Sequence, residues 1–201
     1  MRQLLAALSG SDIEALVTLA LDSGARQGEL LALGVDDVDL DKGMIHIGRS
    51  VRRIAGQGMV FSSTKTKQSR RSVLIAAHTI AALRAYKAHQ RERRLRAGEL
   101  WDAKENLFFT NETDGPLDGV AVTKAFKKLV AQAGLGDLRF HDLRHSSISL
   151  LLAAGARMDE IRTRAGHSSI TTTVNDPGTS STVFGGMVSK WLASPKRAPS
   201  T

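Results

Sequence analysis

Glycine punctuation constrains this chain more than any other feature. Stretches of helical apolar spacing close on Gly24, Gly34, Gly98, Gly134 and Gly155. Glycine past a periodic run is a common helix stop, because it takes the left-handed backbone without a Cβ clash. Between residues 35 and 75 the pattern changes. Turn sequences Asp41-Lys42-Gly43 and Gly56-Gln57-Gly58 cut that region into short segments, which suit strands. The expected fold class is α+β, mostly helical with a small antiparallel three-stranded sheet inserted early.

Ser11-Asp12-Ile13-Glu14 reads as a capping box opening a helix to residue 21, and a second helix spans residues 27–33. The three strands are expected at residues 44–48, 59–63 and 70–74, with a polar loop at 64–69. Helices follow at 76–97, 120–133, 141–154, 158–164 and 169–175, with a short extended piece at 107–110. Val183, Phe184, Met187, Val188, Trp191 and Leu192 share one helical stripe. That stripe suits either the chain's own core or a second copy of the chain. Residues 194–201 carry two prolines and read as a disordered tail, leaving one domain over 1–193.

The chain has 201 residues, 42% of them hydrophobic and 24% charged, enough to bury a core. It has no cysteine, which excludes disulfides and thiolate metal sites. No apolar run approaches a membrane span, and the N-terminus lacks a signal-peptide layout. A cytoplasmic protein without a membrane partner is expected. Residues 65–98 hold ten Lys/Arg against the single acid Glu92, so this segment alone is more positive than the whole chain at +8. A concentrated basic block suits a polyanion, because displacing condensed counterions drives such binding. Lys67, Arg70, Arg71, Arg84 and Lys87 are its candidate contacts.

Phosphodiester transfer requires cations around the phosphate, an acid for the leaving oxygen and a positioned nucleophile. Arg26 opens the second helix, where its planar fork and the helix amides both favour an anion, and Glu29 lies one turn on to orient it. Lys65 sits between two expected strands, within reach of a leaving oxygen. His141 and Arg144 are one helical turn apart, with His145 beside them, and His167 precedes a serine-capped helix. Each has an ordinary alternative: an i, i+3 ion pair for Arg26, a hairpin-tip lysine, a structural histidine beside a surface arginine, and a cap-region histidine. No carboxylate cluster suggests a metal.

Taken together, the motifs carry more. Gly24-Ala25-Arg26 with Glu29-Leu30-Leu31, Thr64-Lys65-Thr66-Lys67 with Arg70-Arg71, His141-Asp142-Leu143-Arg144-His145, and Gly166-His167 with Thr171-Thr172 stand in an order that resembles the catalytic domain of the tyrosine recombinases, the phage-integrase family. The resemblance runs from about Ser11 to Asp176. It implies site-specific DNA breaking and rejoining through a 3′-phosphotyrosyl intermediate, with duplex DNA as partner and no cofactor or metal. Arg26 and Arg144 would hold the scissile phosphate and Lys65 would protonate the leaving 5′ oxygen, with Lys67 as its substitute if the hairpin register differs. His141 would exchange a proton with the nucleophile, His167 would bond the phosphate, and Glu29 and His145 would support from behind. The stripe at 183–192 could join copies of the chain on DNA.

Two departures matter. By the resemblance, the family's tyrosine position falls on Pro177, or on Asp176 in the spacing of relatives one residue shorter; neither is a tyrosine. Proline has no hydroxyl to form the covalent bond, and the one tyrosine, Tyr86, lies in the basic helix. The chain as written is therefore expected to bind without cleaving, either as a recombinase lacking its nucleophile or as a non-catalytic regulator or architectural DNA-binding protein. Thr163-Arg164-Ala165 also stands where the family carries an apolar pair. The N-terminal helical domain typical of relatives is not seen in this sequence.

Overall fold

The computed structural model describes residues 2–63, 70–98 and 105–166. The expected helix at 169–175, the stripe at 183–192, the tail, Lys65, Lys67, His167 and Pro177 lie outside them. Helix α1 (Arg2–Leu8), which the sequence reading did not anticipate, precedes α2 (Glu14–Ser23) and α3 (Gln27–Leu31). Five short strands follow: β1 (Val38–Asp39), β2 (Met44–Ile47), β3 (Arg49–Ile54), β4 (Gly58–Ser63) and β5 (Arg71–Leu74). The chain then runs through α4 (Ala77–Ala97), α5 (Gly119–Gln132), α6 (Asp142–Ala153) and α7 (Met158–Ala165).

Helix α2 is the centre of the molecule. Ala15, Leu16, Val17, Thr18, Leu19, Ala20 and Leu21 are all buried, and a helix apolar on every side must be enclosed by others. Helices α1, α3, α4 and α6 pack around it. Its end is sharp: Gly24 takes φ 64° and returns its N–H to the Ala20 carbonyl. A Cβ on Gly24 would stand 3.1 Å from Ser147 Oγ of α6, so the glycine serves both the turn and the close approach of α6.

The N-terminus of α2 differs from the capping box expected there. Ser11 is not its cap; instead the Glu14 carboxylate accepts the Gly10 N–H at 2.7 Å, one turn outside the helix. The sheet also differs in its membership. A three-stranded antiparallel sheet is present, but its order is β1-β2-β5, and β4 pairs with β3 in a separate hairpin from Arg49↔Ser63 to Ile54↔Gly58. The turn at residues 55–57 folds β4 directly back on β3, leaving β2 to pair with β5 from Met44↔Leu74 to Ile47↔Arg71. Strand β3, Arg-Ser-Val-Arg-Arg-Ile, has only two apolar residues, so alternation did not reveal it.

Helix α4 buries a single stripe, Thr79, Leu83 and Gln90, with Tyr86 half-buried between them. Gln90 donates to Thr110 Oγ1 at 2.8 Å, and Tyr86 packs at 5.1 Å from Phe109, which fixes the segment around residues 107–110 under the helix. Phe126 of α5 meets Phe140 edge-on at 5.5 Å and so locates the turn that enters α6.

Candidate functional site

Three elements deliver side chains to one place. The α2–α3 elbow carries Arg26: Ser23 Oγ accepts the Ala25 N–H at 3.2 Å, Ala25 is buried, and Arg26 sits in extended backbone as the N-cap of α3. Glu29 reaches back from the first turn of α3. Its Oε2 accepts the Arg26 backbone N–H at 2.9 Å and its Oε1 accepts Arg26 Nη1 at 3.1 Å. From β5 comes Arg71, donating through Nη2 to Oε2 at 2.7 Å and through Nη1 to Oε1 at 3.2 Å. From the first turn of α6 comes Arg144, whose Nη1 donates to the Gly24 carbonyl.

The electrostatics of this group are unusual. Glu29 is 4% exposed and Arg144 is also 4% exposed, and a buried charge is costly unless well compensated. Burial alone would raise the Glu29 pKa, but the hydrogen bond and charge of Arg71, followed by the N–H and charge of Arg26, hold it below 4.5. Burial pushes Arg144 down to about 10, aided by repulsion from Arg26 and Arg71 and opposed by Glu29. Arg144 also stands in the first turn of α6, where the helix dipole disfavours a cation. Three guanidiniums thus gather around one carboxylate, leaving these four side chains net positive. The Arg26 side chain remains 47% exposed, so the positive group opens to solvent there.

His141 precedes α6, in a turn tied by Arg139, whose N–H donates to Asp142 Oδ2 at 2.8 Å and whose guanidinium pairs with Asp142 Oδ1 at 3.0 Å. Its ring lies 5.1 Å from that of His145, nearly perpendicular. Desolvation, then the electrostatic influence of His145 and Arg144, lower the His141 pKa below its ordinary value, which favours the neutral ring that can accept a proton. Arg144 thus links two sets, interacting with Arg26, Glu29 and Arg71 on one side and with His141, beside His145, on the other. The ordinary alternative of a surface arginine at position 144 does not hold, because α6 packs that face onto α2.

The expected polyanion contacts fare differently. Arg70 is exposed. Arg71 is not available as a DNA contact: its side chain is 2% exposed and is held by Glu29. Arg84 pairs with Asp41 at 3.0 Å. Lys87 donates to Gln90 Oε1 and lies 5.2 Å over the Phe108 ring, its pKa lowered by burial. The sequence reading missed Asp22 as well. Asp22 accepts Ala76 N–H at 2.6 Å and Arg164 Nη2 at 2.9 Å; a lone acid near the end of an otherwise apolar helix was the available signal. Among the described residues no His, Asp and Glu group is placed to hold a metal, and no helix is long and apolar enough to cross a membrane.

Known proteins resemble this chain in sequence and in fold. The family model described as "Phage integrase family" matches residues 1–176. A protein named tyrosine recombinase XerC-like, from Caldanaerobacter subterraneus, is 31% identical over 179 residues, covering 84% of this chain and 46% of the relative. Tyrosine recombinase XerD of Corynebacterium glutamicum is 35% identical over 160 residues, 79% of this chain and 45% of its own. The chain thus spans a little under half the length of these curated relatives. In fold it is similar to the Tn1549 transposon integrase solved in complex with transposon right end DNA, with a TM-score of 0.74 and 19% identity over 96% of this chain and 64% of that one.

Proposed function

The chain belongs to the phage integrase family, and on that premise we propose that it grips a backbone phosphate of duplex DNA between Arg26 and Arg144, with Pro177 leaving it able to bind DNA but not to cut it. The observation that carries the reading is the buried, net-positive group around Glu29. Such a group is costly to assemble and gains most when an anion completes it. Arg26, half exposed at the start of α3, presents its fork outward, while Arg144 approaches from α6.

In this reading the two guanidiniums hold the non-bridging oxygens and stabilise the pentavalent transition state, where charge on them grows. A nucleophile at position 177 would form the new oxygen–phosphorus bond while the bond to the 5′ oxygen breaks. Lys65 would supply the proton to that oxygen, and neutral His141 would take the proton of the attacking hydroxyl. His167 would bond the phosphate. Proline offers no hydroxyl, so the sequence of steps stops at phosphate binding. Sites on mobile-element DNA in the cytoplasm, and pairing of copies through residues 183–192, belong to the same reading.

The second reading, a non-catalytic regulator or architectural protein that occupies DNA, is favoured by Pro177 itself. One experiment separates the two. A duplex nicked near the exchange site, its sequence chosen by binding enrichment, is incubated with the chain as written and with Pro177→Tyr, and denaturing gels are read for a covalent adduct. We expect none from the former and an adduct from the latter. An adduct from the chain as written contradicts the reading. Tight binding with no adduct from either favours the architectural role.

A further inference from the structure

Arg71 follows a segment that carries Lys65, yet it makes no use of the solvent. Its fork covers both oxygens of Glu29, and its Nε donates to the Arg164 carbonyl at 2.8 Å. Each Glu29 oxygen therefore serves two arginines, one bond from Arg71 and one from Arg26. This sharing decides where the Arg26 guanidinium lies. A carboxylate so deeply buried must have its lone pairs filled. With Arg71 present, Glu29 needs only one backbone N–H and one Nη of Arg26, which leaves much of that fork free. Without Arg71, Glu29 would draw the whole Arg26 fork inward or take up a proton, and either change removes Arg26 from its exposed position.

The other end of the tie is equally built. Arg164 donates through Nε and Nη2 to the Asp22 carbonyl at 3.1 and 2.7 Å and pairs with the Asp22 carboxylate. It fastens the end of α7 to the end of α2, where helix carbonyls lack partners and welcome a cation. This accounts for a charged residue where the family carries apolar ones: the charge meets Asp22. Gly166, at φ 64°, lies against Arg71 so closely that a Cβ there would be 2.7 Å from Nη1.

We propose that Arg71 is a positioning residue for the phosphate-binding Arg26, acting through the shared Glu29 carboxylate and braced by the Arg164–Asp22 tie. The inference rests on the phosphate-binding reading above. Its test is a double-mutant cycle on the full chain, with Arg26→Ala, Arg71→Met and the pair, measuring affinity for a mixed-sequence duplex across a salt series. Circular dichroism checks that each variant is folded.

Arg26→Ala should weaken binding about tenfold near 0.1 M salt and lower the salt slope by about one. Arg71→Met, which touches no DNA, should do the same, and the double variant should be no weaker than either single one, because both lose one contact. Arg71→Lys keeps the charge but cannot span Glu29 and the Arg164 carbonyl together; it should recover part of the affinity, and it carries the cycle if Arg71→Met does not fold. A purely structural role would shift the melting temperature and leave the slope alone. Additive losses, an unchanged slope in Arg71→Met, or undiminished binding by Arg71→Lys would each overturn the proposal. If Arg26→Ala itself binds normally, the phosphate-binding reading fails and this inference with it, whereas an effect of Arg26→Ala alone rejects only the role of Arg71.

Discussion

Two arginine-rich regions of this protein treat charge in opposite ways. On α4, cations are numerous and mostly exposed, and those with a neighbour each have their own. Arg84 has Asp41, Arg96 lies 3.7 Å from Glu92, and Arg93 rests 5.3 Å over the Tyr86 ring. Around Glu29, fewer cations converge from α3, β5 and α6, mostly buried: Arg26 and Arg71 share its carboxylate, and Arg144 donates to the Gly24 carbonyl. Solvated pairs of the first kind contribute little. Buried charges of the second kind are expensive, and removing one partner is worse than never having built the pair. Charge density along the sequence therefore does not distinguish the two regions; convergence and burial do.

That contrast can be broken by mutation. Glu29→Ala leaves Arg71 buried without its partner, and the expected loss of stability is about 3–5 kcal/mol, measured by urea unfolding. A loss below about 1 kcal/mol, the scale of a solvated pair, would place the Glu29 group with the pairs of α4. A subtler effect is the acid limb of stability. Glu29 titrates lower in the fold than its ordinary 4.5, so the unfolded chain binds the proton more readily. Its contribution is fully present above pH 4.5 and fades as pH falls through the folded value. Unfolding curves of Glu29→Gln should be flatter across that window; an identical slope would mean the carboxylate is not held as described. The smallest effect belongs to α4, where Arg91→Ala should change stability by no more than about 0.5 kcal/mol. A larger change would show that the helix depends on its charges.

Much of the architecture was legible in the sequence because glycine and apolar spacing act locally. Gly24, Gly98 and Gly155 do follow α2, α4 and α6, and Arg26, Glu29, His141 and Arg144 could be singled out by motif order. What was not legible depends on pairing at a distance. Nothing local reveals that β4 folds back on β3 instead of pairing with β5. Arg70 and Arg71 are adjacent and chemically alike, yet strand alternation exposes the first and buries the second against Glu29, forty-two positions away. Arg164 stood out as an anomaly, but its explanation, Asp22, lies on another helix.

The central claim is that the converged group, and not the basic helix, holds the DNA phosphate. The most direct measurement compares the salt dependence of duplex binding for Arg144→Gln, which removes the charge while keeping a polar side chain, and Arg84→Ala. The account predicts that Arg144→Gln weakens binding about tenfold near 0.1 M salt and lowers the slope by about one, while Arg84→Ala changes both little. The reverse pattern, with Arg84 controlling affinity and Arg144 silent, would contradict it.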